Sequence, residues 1–292
     1  MRNPVVPVLS VRNRHLLDAL ATGSPQHASL ATLGRGNGWR YASRPRRGVP
    51  LMRLESGRLR LFPLNTVLFP GAVLNLHVFE PRYKQMVSEC LEGGEPFGVA
   101  LIRDGDEAGD PNVTPYDVGT TAQIDDVTPL EQGRYYINTV GRRRFRIERV
   151  VRREPYLVAD VTYLAEDPIP TVSEIDRLID EIRAVFREYL HLLIEFSGMH
   201  ADVDLPADPV DASFLIGDAL QVADSMKQRL LELSNTEQRL TVELTFLRKL
   251  LPQLRALLER KRLQPAADAP LRPGAESRAT QERFFGKHFS LN

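Results

Sequence analysis

The spacing of apolar residues changes once along this chain, at Asp167-Pro-Ile-Pro170. Before this point, apolar and polar residues alternate in short runs, which is typical of half-buried strands. After it, apolar residues recur every three or four positions, which is typical of amphipathic helices. Because the two patterns are segregated, they predict an α+β fold, with a small β-barrel-like subdomain over residues 59–166 and a helical bundle over 171–262.

The first half is divided by glycines and prolines into short segments, which favours a small, largely antiparallel barrel or sandwich. We expect strands over residues 59–64, 73–79, 97–102, 118–127, 135–140, 144–152 and 156–164, and a polar loop over 103–115. One helix is inserted near the start, between Pro81 and Gly93-Gly94. Its apolar stripe consists of Tyr83, Met86, Val87, Cys90 and Leu91.

Four helices are expected in the second half. Their apolar patterns cover residues 175–193, 211–222, 224–233 and 235–258. Asn235 or Thr236 is predicted to cap the last helix, and Pro252 to kink it.

The two ends of the chain carry neither pattern. Residues 1–51 have eight arginines and one acidic residue, and we expect 1–57 to form a disordered basic extension. Two explanations stay open: an arginine-rich organellar targeting peptide, or a start codon assigned upstream of a true start near Met52. Residues 263–292 are predicted to form a flexible tail.

Composition and charge exclude several classes of protein. The 292-residue chain is 42% hydrophobic and 26% charged, as in soluble globular proteins, and it has no apolar run of the roughly 18 residues that a membrane span needs. The net charge is zero, but residues 52–262 carry a net −8, which disfavours a nucleic-acid partner. Cys90 is the only cysteine, which excludes an internal disulfide and fits a reducing, cytoplasmic compartment.

Three separated motifs occur in the strand-rich half. The first is Leu61-Phe-Pro-Leu-Asn-Thr-Val-Leu-Phe-Pro-Gly-Ala-Val-Leu-Asn-Leu-His-Val-Phe-Glu-Pro-Arg-Tyr83. The others are Val118-Gly-Thr-Thr-Ala-Gln-Ile124 and Val140-Gly-Arg-Arg-Arg-Phe-Arg-Ile147. Together and in this order they resemble the amino-terminal, substrate-recognition domain of the Lon proteases, and the resemblance covers residues 59–258.

The resemblance implies a barrel-like subdomain followed by a helical bundle, and a module that engages unfolded or tagged protein segments. Full Lon proteases also carry an ATPase and a peptidase. This chain has no Gly-x-x-x-x-Gly-Lys-(Ser/Thr) phosphate-binding loop, and only 30 residues follow residue 262. We therefore expect a stand-alone bacterial member without catalysis or cofactor, acting as an adaptor in protein quality control or proteolysis, with homo-oligomerisation left open.

Several polar residues suggest chemistry, but each has a plainer structural explanation. The predicted helix begins with Glu80, Arg82 and Tyr83. In the structural explanation, the carboxylate stabilises the helix N-terminus, the arginine forms an ion pair with a nearby group and the tyrosine packs inward. His77 has no second metal ligand at a suitable spacing, and Cys90 lies on the apolar side of its helix.

The remaining candidates are weaker. His191 and His200 match no zinc motif, and the acidic loop 104–110 lacks the spacing of a calcium loop. Arg142-Arg143-Arg144 could bind phosphate or an acidic peptide, but we interpret it as a solvated strand edge that guards against aggregation. The sequence assigns no catalytic, cofactor or metal residue, and it leaves the peptide-binding residues open.

Three functions are weighed. A binding module would accept an extended peptide at an exposed sheet edge or between barrel and helices. A self-association scaffold would use the leucine-lined last helix and the aromatic cluster over residues 284–289. A hydrolase would need two or more of His77, Glu80 and the acidic loop to converge within hydrogen-bond reach in one pocket.

Overall fold

The computed structural model describes residues 55–106, 112–169, 172–197 and 204–263. Most of the basic extension and of the tail, the centre of the acidic loop and His200 lie outside these residues. The strands are β1 (Ser56–Leu64), β2 (Val73–Val78), β3 (Phe97–Asp104), β4 (Thr114–Pro115), β5 (Val118–Pro129), β6 (Tyr135–Arg152) and β7 (Leu157–Tyr163). The helices are α1 (Pro81–Gly93), α2 (Val172–Ser197), α3 (Pro209–Ala219), α4 (Asp224–Glu232) and α5 (Thr236–Leu263). The predicted α+β class, with one helix inserted among the strands, is confirmed.

Five strands close into a ring in the order β1-β7-β6-β5-β3. The ring is completed by a parallel pairing of β1 with β3, while the other strand pairs are antiparallel. β2 and β4 lie outside the ring, where β2 pairs with β6 and β4 pairs with β3. The sheet is thus a barrel-like ring with two added strands.

β6 is a single strand of 18 residues, whereas the sequence predicts two strands separated at Gly141. The predicted break is wrong because Gly141 lies within the ladder, where its missing side chain leaves room for the carbonyl oxygen of Phe69. The first part of β6 pairs with β2 and the second part pairs with β7. This division places β2 beyond the end of β7 and outside the ring.

Alternation along β1 divides its side chains between two cores. Leu59 and Leu61 lie in a cluster with residues of β6 and β7, including Phe145 and Ala159. Phe62 points to the opposite face, where Tyr83 of α1 stacks on it with 3.9 Å between ring centroids. The expected inward packing of Tyr83 is therefore confirmed.

Helices α2 and α5 run in the same direction. Three ion pairs join them: Glu181 to Arg248, Glu188 to Arg255, and Glu195 to Arg262. The two partners are separated by 67 residues in every pair, which fixes a constant parallel register. All six side chains are at least one-third exposed, so we expect these pairs to contribute little stability and mainly to set the register.

The helix boundaries agree with the sequence prediction to within a few residues. α3 begins earlier than expected because Asp208 caps it, accepting bonds from two backbone N–H groups of its first turn. Asn235 caps α5 as predicted, since its Oδ1 accepts a bond from the backbone N–H of Gln238 at 2.9 Å. α5 continues as one helix through Pro252.

The prediction that Arg144 lies on a solvated strand edge is wrong, because its side chain is buried. Only 1% of this side chain is exposed. Its Nη1 donates to two backbone carbonyls at the end of α4, and its Nη2 lies 2.6 Å from Glu166 Oε1. The other oxygen of Glu166 lies 2.9 Å from Nη2 of Arg239, whose side chain is fully buried. This triad connects the barrel to α4 and α5.

The neighbouring Arg143 behaves as the sequence predicted. It is exposed, and its guanidinium pairs with Glu55 at 2.6 Å and lies over the Tyr163 ring. Adjacent residues of a strand point to opposite faces. One face of β6 is covered by helices here, so two adjacent arginines have opposite environments.

Candidate functional site

The residues at the start of α1 form a local structural pair. Glu80 occupies the N-cap position without a side-chain capping bond, and Pro81 is the first residue of the helix. Arg82 donates to Glu80 at 2.9 Å, as expected for a pairing arginine. The arrangement provides no adjacent nucleophile and base, which a hydrolytic site would need.

His77 lies in a small aromatic cluster. Its ring centroid is 4.8 Å from that of Tyr136 and 5.5 Å from that of Phe79. Desolvation, together with the charge of Arg134, lowers the pKa of His77, so the imidazole is neutral at pH 7. Among the described residues, no group of three His, Cys, Asp or Glu side chains is placed to hold a metal ion.

Cys90 is a core residue, as the sequence predicted. Its side chain is buried, and burial raises the pKa of the thiol to about 11. A thiol that stays protonated and is shielded from solvent is a poor nucleophile. Next to it, Glu89 of α1 accepts hydrogen bonds from the hydroxyl of Tyr156 and from Arg60 Nε, the latter at 3.2 Å. These bonds attach α1 to the barrel.

A buried carboxyl on α5 was not anticipated from the sequence. Glu243 is fully buried, and neither of its oxygens has a hydrogen-bond partner among the described residues. Burial raises the pKa of Glu243 well above its usual value, against the opposing charge of Arg239, and so favours the protonated carboxyl. Because solvent does not reach it, Glu243 is a structural residue.

The three candidates for a hydrolytic site have different neighbours. His77 lies beside the rings of Tyr136 and Phe79, and Glu80 accepts a hydrogen bond from Arg82. The part of the acidic loop that the structure describes, 104–106, begins at the last residue of strand β3.

A partly exposed surface lies beside the ring. β2, residues 135–140 of β6 and residues 123–129 of β5 form a three-stranded patch, which we call the β2 extension. One face of it is apolar. Cross-strand rows on this face bring together Leu74, Thr139 and Ile124, then Leu76, Ile137 and Val127, then Val78, Tyr135 and Pro129.

The apolar face of the β2 extension is only partly covered. Val78 and Ile137 are buried, but Leu74, Leu76 and Tyr135 keep partial exposure while packing against the main core, as do Ile124 and Val127. The alternation of β2 predicted this division of its side chains. What the sequence did not reveal is that β2 lies outside the ring, because that depends on where β7 ends along β6.

The opposite face of the β2 extension is polar. Asn75, Asn138 and Asp126 form one cross-strand row, and His77, Tyr136 and Thr128 form the next. Tyr136 is 46% exposed, although its ring contacts His77. The extension therefore presents one apolar and one polar face.

No helix in the described part of the chain is long and apolar enough to cross a lipid bilayer.

Comparison with protein families gives one match to most of the folded region. Residues 58–249 match the model of the ATP-dependent protease La (LON) substrate-binding domain. A Lon protease of Flavobacterium johnsoniae is 27% identical over 189 residues, which cover 62% of this chain and 22% of that protein. A Lon protease of Anaeromyxobacter dehalogenans is 26% identical over 193 residues, which cover 65% of this chain and 23% of that protein. The chain thus spans less than a quarter of the length of these relatives.

Two solved structures are also similar. A Lon N-terminal domain protein from Xanthomonas campestris has a TM-score of 0.48 and 27% identity, and the N-terminal domain of the Mycobacterium avium complex Lon protease has a TM-score of 0.48 and 17% identity. Each alignment covers 65% of this chain and 98% of the solved one.

Proposed function

Because the chain belongs to the family of Lon substrate-binding domains, we propose that it is a protein-binding module that holds segments of other polypeptides without transforming them. The family description names substrate binding, and the substrates of a protease are polypeptides. The segments would come from unfolded or tagged proteins. In the cell, such a module would act as a cytoplasmic adaptor in protein quality control or proteolysis.

The observation that carries this proposal is the partly exposed apolar face of the β2 extension. Leu74 and Leu76 contact the core on one side and stay accessible on the other. Unfolded chains expose apolar side chains that a native protein buries, and burial of apolar area favours their association with such a face.

The environment of the reactive side chains supports a role without catalysis. Cys90 and Glu243 are buried, burial raises the pKa of both groups, and Glu80 accepts a hydrogen bond from Arg82. The family match covers the substrate-binding unit and not the motor or peptidase parts of its relatives. A protease assay with unfolded casein, with and without ATP and Mg²⁺, should show no cleavage; turnover would refute this part of the proposal.

Binding is tested by titrating a fluorescently labelled, reduced and carboxymethylated protein with the full chain and recording anisotropy. We expect saturable binding of the unfolded protein and none of its native form. Leu76→Ser should weaken binding, because it removes apolar area from the β2 extension. Val242→Ser is the matched control, since Val242 is 38% exposed on α5 and belongs to another surface.

Two results would count against the proposal. One is the absence of saturable binding to any unfolded protein. The other is equal weakening by both substitutions, which would indicate a general loss of apolar surface and no defined site. Light scattering on the same samples reports self-association, the function that a scaffold would require.

A further inference from the structure

We propose that a bound segment adds to the open edge of β2 as a further strand of the sheet. This inference rests on the proposed function. It specifies where the segment binds, at the edge of β2, and how it binds, by strand addition. The occupant is an extended stretch of non-native polypeptide, apolar at alternate positions and polar at the others. Four features of β2 and its neighbours support this assignment.

The first feature is the direction of the backbone groups in β2. In an antiparallel pair, every second residue exchanges backbone hydrogen bonds with the partner strand. The N–H and C=O groups of the residues between them point away from that strand. Gly141 of β6 donates to the carbonyl of Ala72 at 2.8 Å. The uninterrupted register then directs the backbone N–H and C=O groups of Leu74 and Leu76 toward β6. It directs those of Val73, Asn75 and His77 away from β6.

The second feature is that this row of outward-pointing groups has no partner. In the described ranges, β2 pairs with β6 and with no other strand. The backbone N–H and C=O groups of Val73, Asn75 and His77 make no hydrogen bond with any described residue. Six residues of strand span about 20 Å, which is enough to pair with a short extended segment.

The third feature is that this edge lacks the usual protection against pairing. Exposed edge strands commonly carry a lysine, a proline, an inward-pointing charge or a bulge that prevents the addition of another strand. β2 consists of Val-Leu-Asn-Leu-His-Val and has a regular register with β6. Its one titratable side chain, His77, is neutral at pH 7. The edge is therefore open to a further chain.

The fourth feature is the chemistry of the two faces beside the edge. On one face, side chains of an added strand would lie next to Leu74 and Leu76 and extend the apolar surface, because cross-strand neighbours are about 5 Å apart. On the other face they would follow the row of Asn75, Asn138 and Asp126. The nearest neighbours on that face are Asn75 and His77, which are uncharged at pH 7, so uncharged polar side chains fit there.

A proline substitution tests the edge directly. Asn75→Pro removes one outward N–H, and because that group points away from β6 the β2–β6 ladder is kept. Asn75→Ala retains the N–H and removes the same side chain, so it is the matched control. We expect Asn75→Pro to weaken the binding of the carboxymethylated protein about tenfold and Asn75→Ala to leave it within about threefold. Circular dichroism confirms that both variants are folded.

A second test does not depend on the folding of a variant. The probe is a six-residue peptide in which leucine alternates with threonine, prepared with N-methyl groups on the leucines or on the threonines. In a strand added to an edge, only one alternate set of N–H groups faces that edge. We expect one methylated series to lose binding to the wild-type protein and the other to retain it.

The outcomes separate this inference from the proposed function. If the unfolded protein binds Asn75→Pro as well as wild type, or if both methylated series bind alike, the edge is not the site, and the proposed function stands. If the wild-type protein binds no unfolded chain and none of the peptides, both proposals are wrong.

Discussion

Glu166→Gln removes the charge that holds two buried arginines at the junction of the barrel and the helices. The carboxylate of Glu166 lies 2.6 Å from Arg144 and 2.9 Å from Arg239, whose side chains are 1% and 0% exposed. Glutamine has nearly the same shape, but its amide has a single acceptor oxygen and directs N–H donors at one guanidinium. The substitution therefore tests what the ion pairs contribute, with little change in packing.

The expected magnitude follows from this burial. Removing one partner of a buried ion pair costs about 3–5 kcal/mol, because it leaves a charge without compensation. Both arginines keep other bonds: Arg144 to backbone carbonyls at the end of α4, and Arg239 to Ser213 Oγ at 2.8 Å. We therefore expect a loss near the lower end, about 3 kcal/mol in the free energy of unfolding. For a domain of this size, that corresponds to a fall of about 6–12 °C in Tm.

Urea unfolding followed by far-UV circular dichroism measures this loss. Glu188→Gln is the control, because it removes the same charge from the exposed pair with Arg255 and should cost no more than about 1 kcal/mol. If the two variants have the same midpoint, the triad does not stabilise the junction, and our assignment of Arg144 as a connecting residue is wrong.

Three further predictions concern other buried polar groups. The pKa of Glu243 is higher in the folded protein than in the unfolded chain, so its contribution to stability is present at low pH and declines as the pH rises above the unfolded value. Glu243→Gln should therefore reduce the fall in unfolding free energy between pH 5 and pH 8, and an unchanged slope would contradict this. Tyr189→Phe should destabilise by about 1–3 kcal/mol in the same unfolding assay, because the hydroxyl accepts from the buried N–H of Gln221 at 2.9 Å; a loss below about 0.5 kcal/mol would mean that water replaces it. Cys90 should react with a thiol reagent only after unfolding, since it is buried and burial raises its pKa to about 11, and rapid labelling of the native protein would disprove this.

Local patterns identified most elements, because strand and helix periodicities depend on near neighbours in the chain. The alternation of β2 assigned Leu74 and Leu76 to one face and Asn75 and His77 to the other, as the register shows. The cap at Asn235 was also accessible, since a capping side chain bonds to an N–H only three residues away.

The errors arose where a residue's environment depends on distant parts of the chain. Gly141 looked like a strand break, but it is the position where β6 passes the carbonyl of Phe69, more than 70 residues earlier. Arg142-Arg143-Arg144 looked uniformly solvated, and the helices that bury Arg144 come more than 80 residues later. Neither contact leaves a trace in the local sequence.

The sequence by itself determined that strands come first and helices second, which side chains share a face, and which family the motifs resemble. The tertiary structure alone decided that β1 closes the ring on β3, that one arginine of three is buried beside Glu166, and that β2 is left outside the ring with an open edge. The physical reason is that periodicity fixes the direction of a side chain relative to its own strand or helix. Which surface that side chain meets depends on the ends and registers of strands that are far apart in the chain.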